Sequence, residues 1–134
     1  MAALRFKRVE NPLGIVTYGK QRKELFENAA YGLFSLMADL ESVSPKQLIS
    51  LKVKGDDFGS LLANWLNELI ALKDSRKMLF RKFQVKALSD TGLEAEVSGE
   101  KIDPARHQIT LAIKAAAYNQ LQVGPGEAKI IFET

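Results

Sequence analysis

The stretch KFQVKALSDTGLEAEVS, residues 82–98, contains two runs of alternating apolar and polar residues on either side of a turn. Strict alternation places the apolar side chains on one face of a strand. The four residues 89–92, Ser-Asp-Thr-Gly, are typical of a turn that joins two antiparallel strands. The polar face then sets lysines opposite glutamates, and each such pair adds about a few tenths of a kcal/mol. We therefore predict a β-hairpin with one buried face.

Two amphipathic helices precede this hairpin, and each of them follows a strand. Apolar residues recur at a spacing of three to four in residues 23–40 and 58–72, which is typical of helices. Residues 13–18 and 47–54 have the composition and alternation of strands, and Asp57 is a candidate N-cap for the second helix. The second helix has the wider apolar stripe. We therefore expect it to be the more deeply buried of the two.

Further strands follow the hairpin. Residues 109–118 and 128–133 read as strands, the second of them entered through the turn at 124–126, and residues 103–107 suit a short helical turn. The predicted order is β-α-β-α-β-β-β-β. Late strands joined by short connections pair antiparallel, so we predict an α+β domain with two helices on one face of a mostly antiparallel or mixed sheet. The length favours a single domain spanning 1–134.

The composition excludes several classes of function. With no cysteine and one histidine, the chain has no disulfides, thiolate metal sites, cysteine nucleophiles or His-rich metal clusters. No nucleophile–base pair is visible, so an independent enzyme is not expected. The first residues lack the apolar core of a secretory signal, and no apolar run is long enough to span a bilayer. We expect a cytoplasmic protein that does not enter a membrane.

The charge balance suggests only a mild preference for polyanions. Nineteen basic residues face sixteen acidic ones, a net charge of +3. Short basic clusters occur at residues 20–23 and 76–82. Such clusters are usually solvated faces, so direct RNA binding through them is a weaker, third hypothesis, ahead only of an independent enzyme.

Lys114 and Glu133 stand out because they are charged residues on otherwise apolar predicted strands. A lone lysine in an edge strand usually prevents unwanted strand pairing, and an acid at a chain end is usually solvated. These ordinary explanations come first, and a role in a site is the alternative.

An ordered series of motifs resembles the archease family. The motifs are Gly14-Ile15, Tyr18-Gly19, the run ELFENAA at 24–30, WLNEL at 65–69, Phe80 with Phe83, Asp103-Pro104 with Arg106-His107, Lys114-Ala115 with Tyr118, and a closing apolar strand that ends in an acid. The resemblance runs from about residue 8 to the end of the chain. Archeases are small cytoplasmic protein cofactors of the tRNA-splicing RNA ligase, which joins RNA ends using GTP and divalent metal. The resemblance thus implies a non-catalytic partner that promotes guanylylation and repeated turnover of that ligase and associates with tRNA only indirectly.

The resemblance also implies a divalent-metal site, which is incomplete in this sequence. The family has an aspartate just before the first Gly-Ile, a second at the end of the last strand, and a nearby lysine in the Lys-Ala strand. The lysine matches Lys114, the terminal aspartate falls on Glu133, and the first aspartate falls on Pro12, whose side chain has no donor atom. Lys114, Asp103 and His107 are the predicted cofactor-binding residues. Three further family positions, occupied there by histidine, threonine and histidine, fall on Val9, Ala117 and Asn119.

Loss of the first acid should weaken or abolish binding of calcium or another divalent metal, because a hard cation prefers about six to eight oxygen ligands. Two compensations are open. Glu10 lies on the same face of an extended segment as Pro12 and could join Glu133 as a metal ligand. Alternatively, Lys114 could form an ion pair with Glu133 in place of the metal. We expect an activator of an RNA ligase with a degraded metal site; the alternative is an interaction or ligand-binding module that no longer serves the ligase.

Overall fold

Two helices pack against two antiparallel sheets, and each helix contacts both of them. The computed structural model describes residues 5–118 and 121–134. The strands are β1 (Phe6–Val9), β2 (Gly14–Tyr18), β3 (Gln47–Lys54), β4 (Met78–Leu88), β5 (Gly92–Lys101), β6 (Ala115–Ala116), β7 (Gln122–Gly124) and β8 (Glu127–Glu133). The helices are α1 (Arg22–Met37) and α2 (Phe58–Arg76), with a 3₁₀ turn at Leu40–Ser42 after α1.

The strands divide between two sheets. The first sheet has the order β1-β2-β8-β6, with β7 also paired to β8, and the second has the order β3-β5-β4. The α+β class, the two helices and the antiparallel pairing are confirmed. The expectation of a single sheet with both helices on one face is wrong, because β8 returns to pair with β2 rather than with the central hairpin. The strand β1 was not predicted, because it has apolar residues only at its two ends.

The hairpin predicted for residues 82–98 is confirmed as β4 and β5, paired through the turn at Ser89–Gly92. Opposite charges do face each other on its outer surface, with Lys86 Nζ 3.2 Å from Glu96 Oε1. The two strands approach closely at Gly99, where a Cβ atom would lie 1.8 Å from the carbonyl oxygen of Leu79. Only glycine permits this approach of the two strands.

The first helix is the more buried one, contrary to expectation. Ten of its 16 residues are buried, compared with seven of 19 in α2. Small residues on α1 explain the difference, since Ala29, Ala30 and Gly32 let neighbouring elements pack closely around it. The second helix begins as predicted, with the Asp57 carboxylate accepting a hydrogen bond from the Ser60 amide at 2.7 Å.

The predicted strand at 109–118 is mostly absent, because only Ala115–Ala116 pairs as a strand. The preceding segment docks on helix ends instead: the Thr110 amide donates to the Met37 carbonyl at the end of α1, at 2.9 Å. The alternating pattern is nevertheless meaningful, since Ile113 is buried against the core. An alternating segment needs a buried face, and here its hydrogen-bond partners are divided between the helices, at Met37 and Asn67, and β8, at Glu133 and Ile131.

No helix in the described part of the chain is long and apolar enough to cross a membrane.

Candidate functional site

One end of the first sheet brings together three positions that are far apart in the sequence. The Phe132 amide donates to the Leu13 carbonyl at 2.9 Å, and the Lys114 amide donates to the Glu133 carbonyl at 2.8 Å. The β2–β8 register, continued by one or two residues, places Pro12 opposite Glu133. The side chains of Lys114 and Glu133 are both exposed there. The structure therefore gathers Pro12, Lys114 and Glu133 at a single solvent-facing strand end.

The loop that carries Pro12 closes the hairpin between β1 and β2. Its Asn11 has φ 56° and precedes a cis peptide bond to Pro12. Glu10, the first of the two possible compensations for the missing acid, is paired with Arg8, with 2.5 Å between Glu10 Oε1 and Arg8 Nε. Both side chains are about half exposed, so this pair contributes little to stability.

The oxygen donors at this end do not fit a tight divalent-metal site. Glu133 supplies one carboxylate, Pro12 supplies none from its side chain, and the Glu10 carboxylate is engaged by Arg8. Across residues 5–118 and 121–134, no group of three or more His, Asp or Glu side chains is arranged to hold a metal ion. A hard cation needs several oxygens with carboxylates among them, and this donor set falls short.

The second compensation, an ion pair between Lys114 and Glu133, is also not formed within the described residues. Of the other family positions, Val9 ends β1 half-buried, and Ala117 is buried with its amide bonded to the Ile131 carbonyl at 2.8 Å. Asn119 lies outside the described residues.

His107 and Asp103 lie together, but in a turn closed by hydrogen bonds. The Asp103 amide donates to His107 Nδ1 at 2.8 Å, so the ring proton is on Nε2, which lies 3.0 Å from Glu100 Oε2. His107 is only 2% exposed and therefore offers little surface to a ligand. The exposed Asp103 carboxylate caps the same turn by accepting from the Ala105 amide at 3.0 Å. This geometry suits a structural role for both residues.

Glu100 is the centre of this buried polar cluster, and the sequence analysis did not single it out. Its carboxylate accepts hydrogen bonds from the Ser44 amide at 2.7 Å and from Arg106 Nη2 at 2.5 Å. The pKa of Glu100 is lowered to about 2, chiefly by the Ser44 bond and then by His107 and Arg106, while burial acts in the opposite direction. An acid within a strand carries no sequence signal of such a role.

Asn67 on α2 positions the strand that follows Lys114. Its Oδ1 accepts from the Ala116 amide at 2.8 Å, and its Nδ2 donates to the Ala116 carbonyl at 3.2 Å. The side-chain amide thus takes the place of a neighbouring strand for β6. In the sequence, the one indication of this role is that Asn67 is a polar residue within the WLNEL motif, beside the apolar stripe of the predicted helix.

Two helices on two antiparallel sheets, with a lysine and an acid at adjoining strand ends, define a small α+β protein with a charged site at the end of its first sheet. Residues 12–133 match the family model described as the archease protein family (MTH1598/TM1083). The chain belongs to the archease family.

Relatives and solved structures agree with this assignment. The chain is 38% identical to the archease of Sulfurisphaera tokodaii over 83% of its own length and 81% of the relative's. It is 35% identical to the archease of Pyrococcus abyssi over 83% and 80% of the two chains. The solution structure of protein 1598 from Methanobacterium thermoautotrophicum aligns with a TM-score of 0.73 and 26% identity, covering 96% and 97%. A Thermotoga maritima archease, described as a possible chaperone, shares the fold with a TM-score of 0.59 at 14% identity, covering 100% and 99%.

Proposed function

We propose that this chain is a non-catalytic protein activator of an RNA ligase of the tRNA-splicing type, with a degraded divalent-metal site. Its partner would be the ligase itself, in the cytoplasm, and tRNA would associate indirectly, through that partner. One observation carries the proposal: the positions assigned to the family's site, Pro12, Lys114 and Glu133, meet at one strand end. A relative described as a possible chaperone is consistent with an action exerted on another protein.

The chemistry left at this end suits contact with a partner better than metal binding. The Lys114 ammonium and the Glu133 carboxylate are both exposed, and their backbones adjoin, so each group is available to contact a partner. With Pro12 in place of an acid, calcium or another divalent ion would bind weakly or not at all. Activation would then proceed by surface contact with the ligase, without a resident metal.

The proposal is tested with the cognate RNA ligase under multiple-turnover conditions. Adding the chain should raise the number of ligations per ligase molecule, and Lys114→Ala should reduce that increase. Lys52→Ala, which alters an exposed lysine on the other sheet, is the matched control and should leave the increase unchanged. Unchanged turnover together with no co-purification would instead support the alternative, a module that no longer serves the ligase.

Loss of the metal site is tested separately, by measuring calcium binding. In calorimetric titration with calcium, the unmodified chain should give no saturable heat, whereas Pro12→Asp should restore measurable binding because it returns a carboxylate opposite Glu133. Pro12→Ala is the control, since it removes the proline without adding an oxygen. Binding by the unmodified chain with a dissociation constant of about 1 μM would contradict the loss of the site.

A further inference from the structure

We propose that a surface at the opposite end of β2, centred on Arg5 and Lys20, binds the phosphodiester backbone of single-stranded RNA. It lies beside Tyr18 and Gly19, whereas the site described above lies beyond Gly14 at the other end of the strand. The proposal does not rest on the proposed function, because it concerns contact between RNA and the chain itself. It also gives a role to the motif residues Tyr18-Gly19 and Asn28, which the metal and ligase arguments leave unused.

The guanidinium group of Arg5 is held in place by two contacts. Its Nε donates to Asn28 Oδ1 at 2.8 Å, and its central carbon lies 3.8 Å from the centroid of the Tyr31 ring. Asn28 is itself 92% buried, with 8% of its surface exposed, and is fixed by a 2.7 Å bond from its Nδ2 to the Tyr18 carbonyl. A buried amide is thus used to orient an exposed arginine.

The outer edge of that guanidinium is open. Within residues 5–118 and 121–134, the terminal nitrogens of Arg5 donate to no protein group, although Nε does. A fixed, planar fork of N–H donors matches the paired oxygens of a phosphate group. Because the Arg5 guanidinium is already oriented, less conformational entropy is lost when it binds a phosphate.

The hollow beside Arg5 has a volume of about 490 Å³, and the charges that line it sum to +1, which suits a ligand group with a single negative charge. It is lined by two cations, Arg5 and Lys20, and by one carboxylate, Glu24, whose Oε1 accepts from the Lys20 amide at 3.3 Å. A phosphodiester carries one negative charge, whereas a terminal phosphate carries about 1.5 to 2. The second oxygen of Glu24 can accept a hydrogen bond from the ribose 2′-hydroxyl that adjoins each phosphodiester of RNA.

A second hollow, of about 600 Å³, continues this surface and shares Gly19, Lys20 and Gly126 with the first. It is bordered by Arg22, whose guanidinium carbon lies 4.2 Å from the centroid of the Phe58 ring. Arg22 also pairs with Asp90 at 2.6 Å, and both side chains are exposed, so the pair can exchange for another anion. Arg5, Lys20 and Arg22 thus follow one another along the two hollows. A row of cations suits an RNA strand, which carries one negative charge per phosphodiester, better than it suits a single carboxylate of a peptide.

Fluorescence anisotropy with a labelled oligouridylate of roughly ten nucleotides tests this assignment. At about 50 mM salt the unmodified chain should bind saturably, and affinity should fall steeply as salt rises to about 200 mM. Arg5→Gln combined with Lys20→Gln should weaken binding about tenfold or more and make the salt dependence shallower. Arg5→Lys should bind less tightly than the unmodified chain but more tightly than the glutamine variant, since lysine keeps the positive charge but lacks the planar set of N–H donors.

The matched control removes one arginine and one lysine from the other basic cluster, Arg76→Gln with Lys82→Gln, and should leave affinity within about twofold of the unmodified chain. Thermal melting establishes that all variants remain folded. Absence of saturable binding at low salt, or equal losses in the test and control variants, would overturn the proposal. So would AMP competing as well as the oligouridylate, which would indicate a pocket for an isolated phosphate, or tighter binding of an oligoglutamate peptide, which would indicate a protein partner.

Discussion

At the scale of single residues, one carboxylate ties three segments of the chain together. Glu100 stands at the end of β5, and it binds the Ser44 amide before β3 as well as Arg106 and His107 of the following turn. Without this carboxylate the Ser44 amide would lose its hydrogen-bond acceptor, and Arg106 and His107 would lose the anion that they share. The cluster therefore fixes the start of the segment that leads to Lys114, although it lies apart from that site.

The low pKa of Glu100 makes part of the stability depend on pH. Because its pKa in the folded chain is about 2, below its ordinary value of 4.5, the contribution is fully present above pH 4.5 and is lost as pH falls from 4.5 towards 2. We expect Glu100→Gln to lower the free energy of unfolding at neutral pH and to make its decline in acid shallower. Urea unfolding at neutral and acid pH measures both effects.

Glu94→Gln is the control for this prediction, since the Glu94 side chain is exposed and forms an ion pair with the exposed Lys52, at 3.3 Å. It should change the neutral free energy of unfolding by no more than about 0.5 kcal/mol. If the unmodified chain and Glu100→Gln lose stability equally between neutral and acid pH, the cluster does not carry the pH dependence.

At the scale of elements, β6 owes its place to a helix as much as to its strand partner. Ala115 and Ala116 form a strand of two residues, paired on one side with β8 and bonded at Ala116 to the Asn67 amide of α2. Strands this short have little stability of their own. The side-chain amide of Asn67 therefore acts together with β8, whose Glu133 carbonyl accepts from the Lys114 amide, to hold Lys114 beside Glu133.

We expect Asn67→Ala to destabilise the chain by about 1–3 kcal/mol, because it leaves the amide and carbonyl of Ala116 without partners. Hydrogen exchange should show a faster Ala116 amide, while the Ile130 amide in the centre of β8 changes only as global stability does. Asn67→Asp is the informative comparison: it retains the acceptor for the Ala116 amide but loses the donor to the carbonyl. Equal protection of Ala116 in all three proteins would show that β8 alone holds the strand.

The elements also show where sequence reasoning succeeded and where it could not. The hairpin of β4 and β5, the strands β2 and β3, and the Asp57 cap follow from local alternation and turn chemistry, and all were predicted. Residues 109–118 were misjudged because the alternation reports only a buried face, and the partners at Met37 and Asn67 are distant in sequence. Local patterns do not specify which distant element supplies a hydrogen bond.

Some residues of the candidate site were likewise predicted from the sequence, and others were not. Motif order led to Lys114, Glu133 and the deficit at Pro12, and the structure brings these three positions to one strand end. The pairing of Glu10 with Arg8 depends on how the loop between β1 and β2 turns, and β1 itself was not predicted. Glu100 and Arg5 could not be identified, because their importance arises from contacts with residues 56 and 23 positions away.

At the scale of the whole molecule, β2 connects the two proposed surfaces. Its Gly14 end adjoins Pro12 and Glu133, and its Tyr18 end adjoins Arg5 and Lys20. The strand is covered by α1 and paired on both sides, by β1 and β8. The two proposals together place a protein partner and an RNA strand at opposite ends of this five-residue strand.

The prediction of a single domain depends on the helices joining the two sheets. Phe34 of α1 is fully buried, and its ring centroid lies 5.6 Å from those of both Phe80 and Phe83 on the second sheet. The same helix packs on β2 of the first sheet. Removing this ring should therefore weaken both sheets together, and Phe34→Ala should lower the free energy of unfolding by about 3–5 kcal/mol.

Urea unfolding followed by Trp65 fluorescence and by far-ultraviolet circular dichroism should give coincident single transitions before and after this substitution, as a cooperative domain requires. Leu48→Ala is the control, because Leu48 is 62% exposed and should change stability by no more than about 0.5 kcal/mol. Hydrogen exchange at Val16 and Val97 reports on the two sheets separately. If Phe34→Ala accelerates exchange at Val97 while Val16 keeps its protection, the sheets unfold independently and the chain is two cooperative units.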